Sequence, residues 1–140
     1  MRIMSTLAFR GALDELAPAY RAATGGKLEF QFDPTAVMLG RIKSGERADV
    51  ALLTAAGIDD LTAVGVLATG SRVDIAVSEV GLAVKAGAPR PDISTPEAVR
   101  RTLLDAKSIV YSRAGASGVF FAGLIERAGG LGVARAAAIV

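Results

Sequence analysis

Hydroxyl side chains recur in this chain at the points where an apolar run gives way to a helical pattern. Ser5-Thr6 closes the first run, Thr35 follows Asp33-Pro34, Thr54 follows Val50 to Leu53, and Ser112 and Ser117 both follow the last clear run. A hydroxyl beside the free N–H groups of a helix start suits an anion, because both donate and the helix end adds partial positive charge. Capping of the helix by its own Ser or Thr is the commoner explanation of any single junction. The segment Arg113 to Gly118 (RAGASG) has small residues that let backbone approach a ligand, yet it is neither G-x-G-x-x-G nor a Walker loop. Arg113 offers a fork for an oxyanion, against the more frequent role of a solvated surface charge.

The chain has no cysteine and no histidine. That removes a disulfide framework, a thiol nucleophile, a Cys/His zinc site, a Ser-His-Asp triad and a histidine base. No lysine stands beside Ser5, Thr6 or Ser112, so the expectation is a binding protein and not an enzyme. Asp14-Glu15 and Asp59-Asp60 are adjacent pairs whose side chains diverge on a helix, so no metal site and no cofactor is expected. Charge is nearly balanced, at a formal +2, and spread along the chain; aromatics are 5% and fall at positions that suit packing. Neither pattern suits nucleic acid, which is not expected as a partner.

The elements that must position these hydroxyls follow from periodicity. Arg2 to Ser5 reads as a buried strand, and Leu7 to Thr24 as a helix with Phe9, Leu13, Leu16 and Tyr20 on one stripe, bent at Pro18 and ended by Gly25-Gly26. Lys27 to Phe32 reads as a strand, with Asp33 as N-cap and Pro34 opening a helix to Lys43. Val50 to Leu53 is an apolar strand, and Thr54 caps a helix carrying Ile58, Leu61 and Val64. Two apolar runs, Val73 to Val77 and Val80 to Val84, precede a Pro- and Gly-rich stretch to Pro91. Ser94-Thr95-Pro96 starts a helix to Ala106, Ser108 to Tyr111 is a strand, and Gly118 to Ala128 is a helix; Val133 to Val140 reads either way.

Apolar strands separated by helices predict an α/β fold: an open, mostly parallel sheet with helices on both faces. With 140 residues and 51% hydrophobic content, one small globular domain is the upper bound, and no apolar run reaches membrane-spanning length, which predicts a soluble protein. The first residues show no charged region, apolar core and cleavage site in succession, so no signal peptide is expected.

Several segments in order resemble the type 2 solute-binding proteins of bacterial ABC importers, and in particular the molybdate-binding family. They are Ser5 to Leu13, Leu16 to Tyr20 with Thr24-Gly25, Gln31 to Thr35 through Arg41-Ile42, Gly45 to Val50, Ile58 to Leu61 with Val64-Gly65, Gly81 to Val84, and Ala116 to Phe120 before Leu124. The resemblance implies a periplasmic-binding-protein-like type II fold in which two lobes close on a tetrahedral oxyanion held by hydroxyls and amides. It implies a first lobe at 1–80 and, at 81–140, a crossover and an incomplete second lobe, the family being longer, with a further ligand tyrosine beyond Val140. By position, the family's first ligand serine falls at Ala8, its second at Thr35, and its second-lobe alanine at Ser117. Ser5 or Thr6 would replace the hydroxyl that Ala8 lacks.

The ligand-binding set so implied is Ser5, Thr6, Ala8, Thr35, Thr54, Ser117 and Gly118. The expected partners are a molybdate- or tungstate-like oxyanion, an ABC permease, and a second copy of the chain that completes the fold. The resemblance points to the periplasm; the missing leader leaves a cytoplasmic ligand-sensing module of the same fold as the alternative function.

Overall fold

The structure is a computed structural model that describes residues 1–127 and 136–139. It forms two compact units, Met1–Ile75 and Ala76–Val140.

The first unit is built on β1 (Arg2–Thr6), which lies between β2 (Glu29–Asp33) and β3 (Val50–Leu52) in a sheet of three parallel strands. Ile3, Met4, Ser5 and Thr6 are all buried, as a strand covered on both faces requires. Helices α2 (Thr35–Lys43) and α3 (Ala55–Ala63) bring Met38, Ile42 and Leu61 onto Met4, with Leu39, Ala51, Leu53, Val66 and Leu67 packed around them. The sheet is small and open and its helices are connected through it, so the α/β class holds.

Local chemistry moves several boundaries. Leu7–Phe9 is a 3-10 turn, and the regular helix α1 runs Arg10–Thr24, continuing through Pro18. It stops at Gly25, whose φ of 67° is left-handed and whose N–H donates to the Arg21 carbonyl at 2.8 Å. The strand β2 extends through Asp33, so the N-cap of α2 is Pro34 and Thr35 is its first helical residue. The expected core stripe of α1 contributes no buried residue, and Leu16 is 62% exposed.

An ion network ties β1 to the turn before β3. Glu46 accepts from Arg2 Nη2 at 2.6 Å and from Arg41 Nε at 2.7 Å, while the Asp49 carboxylate accepts the Arg2 backbone N–H at 2.7 Å. The Arg41 hydrogen bond, helped by its charge and by Gln31 and Arg2, holds the Glu46 carboxyl below its ordinary value of 4.5. A carboxyl depressed in the folded state contributes stability above its unfolded value and loses that contribution as pH falls through the folded one. Denaturant titrations of the wild type and Glu46→Gln should therefore diverge above about pH 4.5 and converge at lower pH; a constant gap would show that the network is electrostatically silent.

The second unit contains α4 (Pro96–Asp105), β4 (Ile109–Ser112), α5 (Ala116–Arg127) and β5 (Ala136–Ile139). Thr95 caps α4 by accepting from the Ala98 N–H at 3.1 Å, ahead of a proline at its start. β4 and β5 pair in parallel, Ile109 opposite Ala136 and Ser112 opposite Ile139. Tyr111 and Phe121 meet edge to face at 5.0 Å, holding α5 to β4. The apolar runs Val73 to Val77 and Val80 to Val84 carry no regular secondary structure, and Val77 is 97% exposed. Of the segment read either way, Ala136–Ile139 is strand; residues 133–135 and 140, like the end of the expected helix at Ala128, lie outside the described residues.

Candidate functional site

Parallel register brings three strand-to-helix junctions of the first unit to one edge of the sheet. Thr6 lies opposite Asp33, and Ser5 lies between Phe32 and Leu52, so the chain leaves β1, β2 and β3 side by side at Thr6, Asp33 and Leu52. This is the carboxyl edge, where open parallel sheets present helix starts and bind ligands.

The three starts are not equivalent. Thr54 closes its own helix, accepting from the Gly57 N–H at 3.3 Å. Thr6, at the start of the 3-10 turn, and Pro34, at the start of α2, both have extended backbone and make no side-chain cap. The proline side chain has no acceptor to offer, so the amides of the first turn of α2 receive none from it, while the Pro34 carbonyl accepts the Met38 N–H at 2.9 Å in the ordinary helical way. An uncapped helix start retains unpaired N–H groups and the positive end of the peptide dipoles.

The hydroxyls divide in the same way. Ser5 is fully buried and its Oγ donates to the Thr6 carbonyl at 3.0 Å, so it serves the backbone. Thr6 and Thr35 are 6% and 5% exposed, and neither hydroxyl makes a hydrogen bond among the described residues. No buried side-chain oxygen there lacks a partner, so these two hydroxyls keep contact with solvent while their residues are held in the packed edge. Ala8 sits exposed in the 3-10 turn, where only its amide is available.

Two charged groups at this edge have partners that sequence spacing does not assign, Asp33 reading there only as an N-cap. Asp33 pairs with Arg41 Nη1 at 3.2 Å. Arg10, the first residue of α1, carries its guanidinium 4.8 Å from the ring centroid of Phe32, which itself stacks on Phe30 at 5.7 Å. The alternation of Phe30 and Phe32 marks one face of β2, but only the folded entry into α1 puts Arg10 over it.

In the second unit, Ser117 and Gly118 open α5. Ser117 is exposed on the wall of a largely apolar groove of about 700 Å³, whereas Gly118 is buried against β4. The turn before α5 is held by the Ser112 hydroxyl, which accepts the Gly115 N–H at 3.0 Å.

The sequence profile of the bacterial extracellular solute-binding proteins matches residues 1–140. The chain belongs to that family. The resemblance to solute-binding proteins therefore holds at family level; molybdate specificity is a narrower statement than the family match makes. A curated relative, an aconitate isomerase from a Pseudomonas species, is 38% identical over 130 residues, covering 89% of this chain and 49% of its own length. This solute-binding chain thus spans about half the length of that relative.

The relative's name overturns the expectation that the chain is not an enzyme. That expectation rested on the missing thiol and imidazole, which removes a thiol nucleophile, a Ser-His-Asp triad and a Cys/His zinc site, and on the lack of a lysine beside Ser5, Thr6 or Ser112. Proton transfer needs none of these, since carboxylates, lysines and tyrosines can act as acid or base, and all three are present.

Proposed function

We propose that this solute-binding chain captures a small oxyanion-bearing solute at the carboxyl edge of the β1–β2–β3 sheet, with a carboxylate such as those of aconitate ahead of molybdate. The observation that carries the reading is the pair of adjacent uncapped starts, at Thr6 and at Pro34, each with a buried residue whose hydroxyl makes no hydrogen bond among the described residues. A bound oxyanion would accept from the amides after Thr6, including that of Ala8, and from Thr35 and its neighbours. Ser5 supports this loop from beneath, and Thr54 shapes the edge while capping α3. Ser117 and Gly118 belong to a second lobe, at 81–140, which follows the first at 1–80. The family supports delivery of the solute to an importer's permease in the periplasm, and the printed name of the Pseudomonas relative supports the carboxylate.

Calorimetric titration with aconitate, citrate, sulfate and molybdate tests this. The wild type should bind at least one of them saturably. Thr35→Val, which keeps the shape and removes the hydroxyl, should weaken that binding about tenfold or more, as expected for losing one hydrogen bond to a charged group. Absence of binding to all four would refute the reading.

A second reading, isomerisation of a bound carboxylate, is favoured by the relative's name alone. Proton NMR of aconitate incubated with the protein would show interconversion of its isomers if it holds, and an unchanged spectrum if it does not.

A further inference from the structure

We propose that Arg10 makes the edge selective for solutes with two or more carboxylates, by holding a second negative group while the helix starts hold the first. The inference rests on the anion-binding reading above and concerns which anions are preferred.

Arg10 stands one helical turn beyond Thr6, and its guanidinium is fixed over Phe32, whose register partner is Ser5. An arginine packed on an aromatic face loses little further freedom when it binds, and its fork matches a carboxylate with two parallel N–H donors. The acids within reach in sequence do not engage it. Asp33, next to Phe32, is committed to Arg41, and Asp14, one turn along α1, forms no ion pair with Arg10 among the described residues. Arg2 and Arg41 share Glu46, and Arg72 bridges Asp59 and Asp74 at 2.8 Å each, whereas Arg21 and Arg47 form no ion pair among the described residues; what sets Arg10 apart is its packing over Phe32. Arg10 is a cation packed on Phe32 with no ion pair among the described residues, four residues beyond Thr6 and near the edge where the start of α2 favours one anionic group.

A compact tetrahedral oxyanion seated on the amides has no second group to extend towards Arg10. A di- or tricarboxylate has one, and gains a charge-assisted contact that a monocarboxylate of the same chain length lacks. Selectivity then comes from Arg10, while basal anion binding comes from the backbone and Thr35.

The test is a competition series on the whole chain with acetate, succinate, citrate, aconitate and sulfate, in wild type, Arg10→Gln, Arg10→Lys and Phe32→Leu, with circular dichroism as the check on folding. Arg10→Gln should weaken the di- and tricarboxylates tenfold or more and leave acetate and sulfate within twofold. Arg10→Lys should recover part of the loss, and Phe32→Leu should weaken the same ligands by a smaller factor by freeing the guanidinium. Equal loss for all anions, or no loss for any, would overturn the role of Arg10 while leaving the helix-start site standing. If the wild type bound none of the five, the anion site itself would fall and the inference with it.

Discussion

Gly118→Ala is expected to be the most damaging single-atom change in the second unit, lowering unfolding stability by more than about 3 kcal/mol. A β-carbon built on Gly118 would overlap the carbonyl oxygen of Ser112 and lie 2.5 Å from its carbonyl carbon. Both are backbone atoms at the end of β4, so no side-chain rotation relieves the clash. The helix α5 would have to lift from the strand, breaking the Tyr111–Phe121 contact that holds them together. Gly40→Ala is the matched control, since that glycine also lies inside a helix and a β-carbon there meets nothing within 4 Å. It should stabilise by roughly 0.5–1 kcal/mol through helix propensity. Chemical denaturation of both variants checks the pair; a Gly118→Ala protein as stable as wild type would mean that α5 does not approach β4 as described.

Met38→Ala is the second large effect, expected to cost about 2–5 kcal/mol. Met38 is fully buried and sits with Met4, Ile42 and Leu61 in a cluster that joins α2 and α3 to the sheet. Truncation removes most of a side chain from the centre of a small core, and the cavity forms between the sheet and the helix whose start carries Thr35. Stability and anion affinity should therefore fall together. Leu16→Ala is the contrast: Leu16 is 62% exposed on α1 and should change stability by no more than about 0.5 kcal/mol. Equal losses from the two truncations, read by urea titration, would show that α1 packs as closely as α2.

That contrast shows where sequence reading works and where it stops. Local signals are legible when one residue's chemistry decides them. The left-handed end at Gly25, the caps at Thr54 and Thr95, and the apolar strand before Thr54 all follow from side-chain type and spacing. Asp33-Pro34 misleads because Asp and Pro each suit a helix start, and parallel pairing with Thr6 draws Asp33 into the strand instead. The stripe on α1 is a true helical period, but a period predicts only that a face is apolar, not that it is covered.

At the site, hydroxyl-bearing junctions are visible in the sequence, but their hydrogen bonds are not. Only the structure distinguishes Thr54 and Ser5, whose hydroxyls are spent on backbone, from Thr6 and Thr35, whose hydroxyls are not. Arg10 over Phe32 joins residues 22 positions apart and no spacing rule would pair them. The inference from missing histidine and cysteine to a missing activity failed for a different reason: an absent residue type excludes mechanisms, not functions.

If the site lies at the carboxyl edge of the first sheet, the amides after Thr6 and Pro34 receive the anion. Amide-resolved NMR during titration with citrate or aconitate tests it most directly. Saturable shifts are expected at Leu7, Ala8, Thr35, Ala36 and Val37, with much smaller changes at Ala55 and Gly57, where Thr54 already caps the helix. Shifts confined to other residues, or equal shifts at all three helix starts that grow linearly without saturation, would contradict it.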